Sequence, residues 1–273
     1  MKHTGDFHPR LEFEQPYWWL PGSAGSAVGT GFGPVWVPGA GAVVSSPAPT
    51  ATFIGQHRRN RFTSDAAATP DMELGIHLGN TEDCHAWLGT LDTAPNPDHY
   101  RGGFYLSCIF RINALQTTAS RFFCGYSSQI GGGIVTANVP PANTVGLWCA
   151  TGDAMVARLV GVNAAGTATT APTDRLNGPI TLTAGTLYRW VMIQNPTANS
   201  IVTQLYNLSS QDSLAGLISS TNQGVSTTMS TSMATMMAPQ CGLSNAANVG
   251  ASATSLDIMS LYSRPNLKFR QHG

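Results

Sequence analysis

Between Phe104 and Ile112 every second residue is apolar or small. Phe104, Leu106, Cys108, Phe110 and Ile112 alternate with Tyr105, Ser107, Ile109 and Arg111. Successive side chains of an extended chain point to opposite faces, so this segment predicts a β-strand with one buried face. The idea recurs down the chain. Arg121–Tyr126 aligns Phe122, Cys124 and Tyr126, and the next strand aligns Val145, Leu147 and Cys149. Met155–Val162 follows, then Leu187–Asn195 with Leu187, Val191 and Ile193 on one side, then Ile201–Leu208 and a closing Leu256–Ser263. Gly131-Gly132-Gly133, Pro140-Pro141, Asn177-Gly178-Pro179 and Asn195-Pro196 punctuate the series as turns. No amphipathic helix of useful length interrupts it. The stretch 209–240 is rich in Ser, Thr and Met, carries Asp212 as its single charge, and reads as a long connection plus a weak strand. Many short strands without helices predict an all-β protein, an antiparallel two-layer sandwich with less than about a tenth of its residues helical.

Residues 1–51 have another texture. Pro and Gly recur from Pro9 to Pro49 and leave no periodic pattern, yet the segment holds Phe7, Phe13, Tyr17, Trp18, Trp19, Phe32 and Trp36. Free linkers seldom carry so many rings, because each exposes a large apolar area. The rings either pack on their own sandwich or dock on another subunit. Tyr17, Trp18 and Trp19 lie between Pro16 and Pro21-Gly22, which presents them in a short extended stretch rather than within a sheet. Tyr17, Trp18, Trp19, Phe32 and Trp36 are therefore the candidate docking residues of an extended, irregular N-terminal arm, and 52–273 is the sandwich.

Only 10% of the residues are charged, against about 25% in ordinary globular chains, and the net charge is zero. A hydrophobic content of 42% argues against disorder. A neutral-polar surface suits a protein partly covered by other subunits, since an unpaired charge is costly to bury. Nucleic-acid binding lacks the basic face it needs; His57, Arg58, Arg59 and Arg61 form one short cluster, read as a solvated or intersubunit strand edge. The five cysteines, Cys84, Cys108, Cys124, Cys149 and Cys241, are odd in number and match no zinc spacing. Cys108, Cys124 and Cys149 fall on apolar strand faces, where a thiol acts as a small hydrophobe; Cys84 and Cys241 lie in less regular sequence. Met1-Lys2-His3-Thr4 leads into no apolar signal region and no run reaches 18 apolar residues, so neither secretion nor membrane insertion is expected. Free thiols formed in a reducing cytoplasm follow.

Several segments share one pattern: Arg59-Asn60-Arg61-Phe62, Gly102-Gly103-Phe104 with the alternating strand behind it, and Arg121-Phe122-Phe123-Cys124-Gly125-Tyr126. Val145-Gly146-Leu147-Trp148 leading to Gly152-Asp153, Leu187-Tyr188-Arg189-Trp190-Val191 and Leu256–Tyr262 continue it. Together these segments resemble the concanavalin A-like (laminin G-like) jelly-roll domains of tailed-bacteriophage virion proteins. The likeness covers about 52–265 and does not extend to 1–50. The resemblance implies a jelly roll within a virion assembled in the host cytoplasm, and a homo-oligomer, a trimer by the habit of such proteins. It implies a tail, fibre or baseplate role in host adsorption, with lectin-like binding of a host surface glycan and contacts to other virion proteins through the arm. The alternative is a capsid decoration protein that binds no ligand.

Catalysis finds little support. Retaining glycosidases need two carboxylates about 5–5.5 Å apart, which a strand supplies at i and i+2 or i+4. The only glutamates are Glu12, Glu14, Glu73 and Glu82, and the first two lie in the arm. The densest polar run, Glu82-Asp83-Cys84-His85 with Asp92, Asn96, Asp98 and His99, reads as a loop between strands rather than a calcium or sugar site. No Gly-x-Gly-x-x-Gly opens a helix. The chain is expected to be no enzyme and to need no cofactor or metal.

Overall fold

The computed structural model describes residues 17–19, 43–45, 47–48, 59–64, 73–77, 104–114, 120–129, 141–150, 155–162, 180–194, 200–209, 217–224, 237–244 and 253–265. All regular elements among these described residues are strands. They are β1 (Tyr17–Trp19), β2 (Val43–Ser45), β3 (Asn60–Thr63), β4 (Glu73–His77), β5 (Phe104–Ala114), β6 (Arg121–Ser127) and β7 (Thr144–Cys149). The second half adds β8 (Val156–Val162), β9 (Ile180–Thr181), β10 (Leu187–Gln194), β11 (Ser200–Asn207), β12 (Leu217–Gly224), β13 (Ala238–Ser244) and β14 (Ser255–Pro265). Eight strands form one sheet in the order β12-β11-β10-β5-β14-β3-β2, with β1 also on β14; six form the other in the order β4-β13-β6-β7-β8-β9. Every pairing is antiparallel.

The two sheets meet through the alternating residues that the sequence singled out. Phe104, Leu106, Cys108, Phe110 and Ile112 of β5 face Phe122, Cys124 and Tyr126 of β6, all fully buried. Phe104 and Tyr126 bring ring centroids to 4.6 Å, as do Phe110 and Phe122. The Tyr126 hydroxyl shares a buried 2.7 Å hydrogen bond with Ser263 Oγ of the opposite sheet, which satisfies the polar end of a ring placed in the core. In β10 the face is the reverse of the expected one. Tyr188, Trp190 and Met192 enter the core, while Leu187, Val191 and Ile193 stand on the outer side. Pairing decides this: Trp190 is opposite Cys108, and the larger rings fill the space between sheets.

The arm departs from its expected form. Tyr17–Trp19 is a strand, paired through Tyr17↔Ser263, Trp18↔Tyr262 and Trp19↔Leu261. Val43–Ser45 likewise pairs with β3. Backbone groups seek partners, and β14 offers a free edge beyond the short β3, so the segment between two prolines joins the sheet. Phe32 and Trp36 lie outside the described residues.

The basic cluster is also corrected. Arg59 is only 6% exposed and Arg61 32%, and both bind Asp257, which is fully buried. A strand edge rich in arginine is therefore tied inward by a carboxylate from β14, not solvated. His57 and Arg58 lie outside the described residues.

Candidate functional site

The outer face of the eight-stranded sheet carries what the core-facing alternation leaves over. On β5 these positions are Tyr105, Ser107, Ile109 and Arg111; on β10, Arg189 is paired with Tyr206 of β11. Arg189 sits at the centre. Its Nε donates to Ser107 Oγ at 3.1 Å, its Nη2 donates to the Tyr105 hydroxyl at 3.1 Å, and its guanidinium carbon lies 6.0 Å from the Tyr206 ring centroid. That spacing is at the limit of a cation–π contact. Tyr206 in turn donates to Gln204 Oε1 at 2.9 Å.

Tyr262 completes the array by a β-bulge. Strict alternation from Leu256 and Ile258 would send Tyr262 into the core. The register of β14 against β5 shifts between Ile258 and Ser260, so Leu261 and Ser263 face inward and Tyr262 faces outward. There it meets Tyr105 edge-on, with centroids 5.7 Å apart. Three tyrosines, a guanidinium, an amide and a hydroxyl thus run across β11, β10, β5 and β14. All but Ser107 are partly exposed, and their mutual bonds hold them in place. Rings present faces for stacking, and the polar groups around them suit hydroxyl-rich ligands.

The same face is anchored by an ion cluster. Asp257 accepts from Arg61 Nε at 2.7 Å and Nη2 at 3.0 Å and from Arg111 Nη2 at 2.7 Å, with Arg59 Nε at 3.2 Å. The hydrogen bond to Asp257 raises the Arg61 pKa above the ordinary arginine value. Burial is the main influence on Arg59 and lowers its pKa, against the pull of Asp257.

Among the described residues, the outer face of the six-stranded sheet is largely closed at its centre. Phe123 and Trp148 pack there at 6.2 Å and both are fully buried, as are Ser127, Thr144 and Gln240 or nearly so. Gly125 faces Gly146 and Gly242 faces Gly75, which lets neighbouring backbones approach closely.

Of the docking candidates, the structure pairs the backbone of Trp18 with that of Tyr262. The polar run from Glu82 to His99 lies outside the described residues. The array itself escaped the sequence reading, although its signal was present in the complement of the apolar pattern: Tyr105 and Ser107 on one strand and Arg189 and Tyr206 on two others.

The thiols converge as well. Cys108, Cys124, Cys149 and Cys241 form no disulfide and are fully buried. Cys241, unplaced by sequence, lies on β13 opposite Cys124. The sulfurs of Cys108, Cys124 and Cys241 all lie within 4.8 Å of one another. Burial pushes the Cys124 and Cys241 thiols well up. For Cys108 burial acts the same way, but thiol hydrogen bonds from both neighbours outweigh it and bring it to about 6.

The sequence matches no family model, and no curated protein matches it. Solved structures do resemble the fold. A protein of unknown function, SO2946 from Shewanella oneidensis MR-1, aligns over 94% of this chain and 89% of its own, with a TM-score of 0.53 at 14% identity. The lectin UEA-II complexed with galactose aligns over 93% of this chain and 99% of its own, with a TM-score of 0.50 at 11% identity. Such identities speak to architecture alone, and together with the two antiparallel sheets they show that the chain folds as a concanavalin A-like jelly roll, the fold of the legume lectins.

Proposed function

We propose that the protein is a structural component of a bacteriophage virion, placed in the tail, fibre or baseplate, and that it aids host adsorption by binding a surface glycan without catalysis. The observation that carries the glycan reading is the Tyr105–Arg189–Tyr206–Tyr262 array on an accessible sheet face. The virion reading is supported by the resemblance of strands 52–265 to phage jelly rolls and by the charge-poor composition. The arm residues Tyr17, Trp18, Trp19, Phe32 and Trp36 connect it to other virion proteins, with the β1 backbone already committed to its own sheet.

The protein works as a homotrimer. Edge strand β12, Leu217–Gly224, contains no charged residue and no proline, and Leu217 is 44% exposed. Monomers usually guard such edges with charge or proline. Light scattering of the purified chain should report three times the 28.7 kDa chain mass; a monomer at micromolar concentration would count against assembly.

The test of function uses particles carrying Arg189→Ala. A hydrogen bond from a charged group contributes about 1.5–3 kcal/mol, so glycan affinity and adsorption rate should fall about tenfold or more. Protein content per particle and its position at the tail should stay unchanged. Unaltered adsorption, or protein found on the capsid lattice, would refute the proposal.

A further inference from the structure

Three cysteines from three strands and both sheets meet in the dry centre of the sandwich, and the geometry points to a binding site for one copper(I) ion. Cys108 comes from β5 of the larger sheet; Cys124 and Cys241 come from the adjacent strands β6 and β13 of the smaller. Their sulfurs lie within 4.8 Å of one another. A metal centred among three sulfurs at about 2.3 Å sets them about 4.0 Å apart, so the ligands need to close by less than about an ångström. All three residues are fully buried among Leu, Phe and Trp side chains.

The donor set selects the ion. Thiolates favour soft cations, chiefly copper(I) and zinc. Structural zinc demands a fourth ligand in a tetrahedron. Among the described residues no His, Asp or Glu joins the group, and Cys149 is engaged elsewhere, its thiol donating to the Met155 carbonyl at 3.7 Å. Copper(I) is satisfied by three sulfurs in a plane, the set that these strands present, and needs no water, which an apolar core does not offer. Each sulfur that ligates as thiolate gives its proton to solvent, and copper enters and remains as copper(I), so no electron moves. The bound ion staples the two sheets together at mid-core. Because the site is closed, loading takes place during folding or slow opening.

The test uses the full chain with Cys84→Ser, kept reduced and free of oxygen, both refolded with copper(I) and isolated from copper-supplemented cells. After dialysis against a copper(I) chelator it should retain one copper per chain. X-ray absorption should find about three sulfurs at about 2.3 Å, and the melting temperature should rise by about 5 °C or more. Cys149→Ala should keep the copper; Cys108→Ala and Cys241→Ala should lose it. Should those variants fold poorly, the absorption spectrum of the unaltered trio still decides. Fewer than about 0.1 copper per chain from both preparations, retention by Cys241→Ala, or one tightly held zinc in place of copper would overturn the site.

Discussion

Asp257→Ala should lower stability by about 3–5 kcal/mol, because removing one partner of a buried ion pair strands the other. Here three guanidinium groups lose this partner. Arg59, Arg61 and Arg111 all converge on this carboxylate, which is itself completely buried. Register makes the convergence unavoidable: Arg61 on β3 and Arg111 on β5 are the cross-strand partners of Asp257 on either side. Without it, like charges face one another across β14, and Arg59 has little water to turn to. For a chain of this size the melting temperature should fall by roughly 6–20 °C. Arg61→Ala should cost far less, about 1–2 kcal/mol, since two guanidinium groups continue to satisfy Asp257 and Arg61 is partly solvated. Thermal unfolding of the two variants checks the asymmetry. Equal losses, or an Asp257→Ala protein melting within about 2 °C of the parent, would show that the cluster does not hold the sheet.

Gly125→Ala should be as damaging for a reason unrelated to charge. A Cβ at Gly125 would fall on the Val145 carbonyl oxygen and within 2.5 Å of Gly146 Cα. At Gly146 the new atom would meet Cys124 O at 2.5 Å, Gly125 Cα at 2.8 Å and Phe123 Cε2 at 2.9 Å. The obstacles are mostly backbone, which cannot rotate away, so β6 and β7 would have to separate. Overpacking of this kind costs about 3 kcal/mol or more and reduces soluble yield. Gly185→Ala is the contrast. Its φ of +81° places it in the left-handed region, but beyond its own chain neighbours no atom lies within 4 Å of the added carbon. That change should cost only about 1–2 kcal/mol. Denaturant midpoints of the pair separate steric from conformational need; equal midpoints would deny the close approach of the strands.

Strands with strong alternation were legible. β5, β6, β7, β11 and β14 sit where Phe104–Ile112, Arg121–Tyr126, Val145–Cys149, Ile201–Leu208 and Leu256–Ser263 predict. β13 was not, because Ala238-Pro239-Gln240-Cys241-Gly242-Leu243-Ser244 has no β-branched residue and includes both Pro and Gly, yet it lies between β4 and β6. β12 lacks apolar alternation because it is an edge strand with little to bury. Pairings between distant segments were invisible: nothing local to Arg59 or Arg61 announces Asp257, and nothing in cysteine spacing brings Cys241 to Cys108. The outward turn of Tyr262 depends on a bulge, which shifts the parity that sequence alternation assumes. Where one strand period suffices, the sequence is explicit; where two sheets or a register shift decide, it is silent.

The proposed glycan-binding face is tested most directly by nuclear magnetic resonance with ring-labelled tyrosine, titrating the host surface polysaccharide into the purified chain. Saturable shifts should appear at Tyr105, Tyr206 and Tyr262, which line the outer face, while Tyr126 and Tyr188, held in the core, should not move. Arg189→Ala should weaken the midpoint about tenfold or more. Shifts absent from all three outer tyrosines, or a midpoint unchanged by Arg189→Ala, would contradict the account.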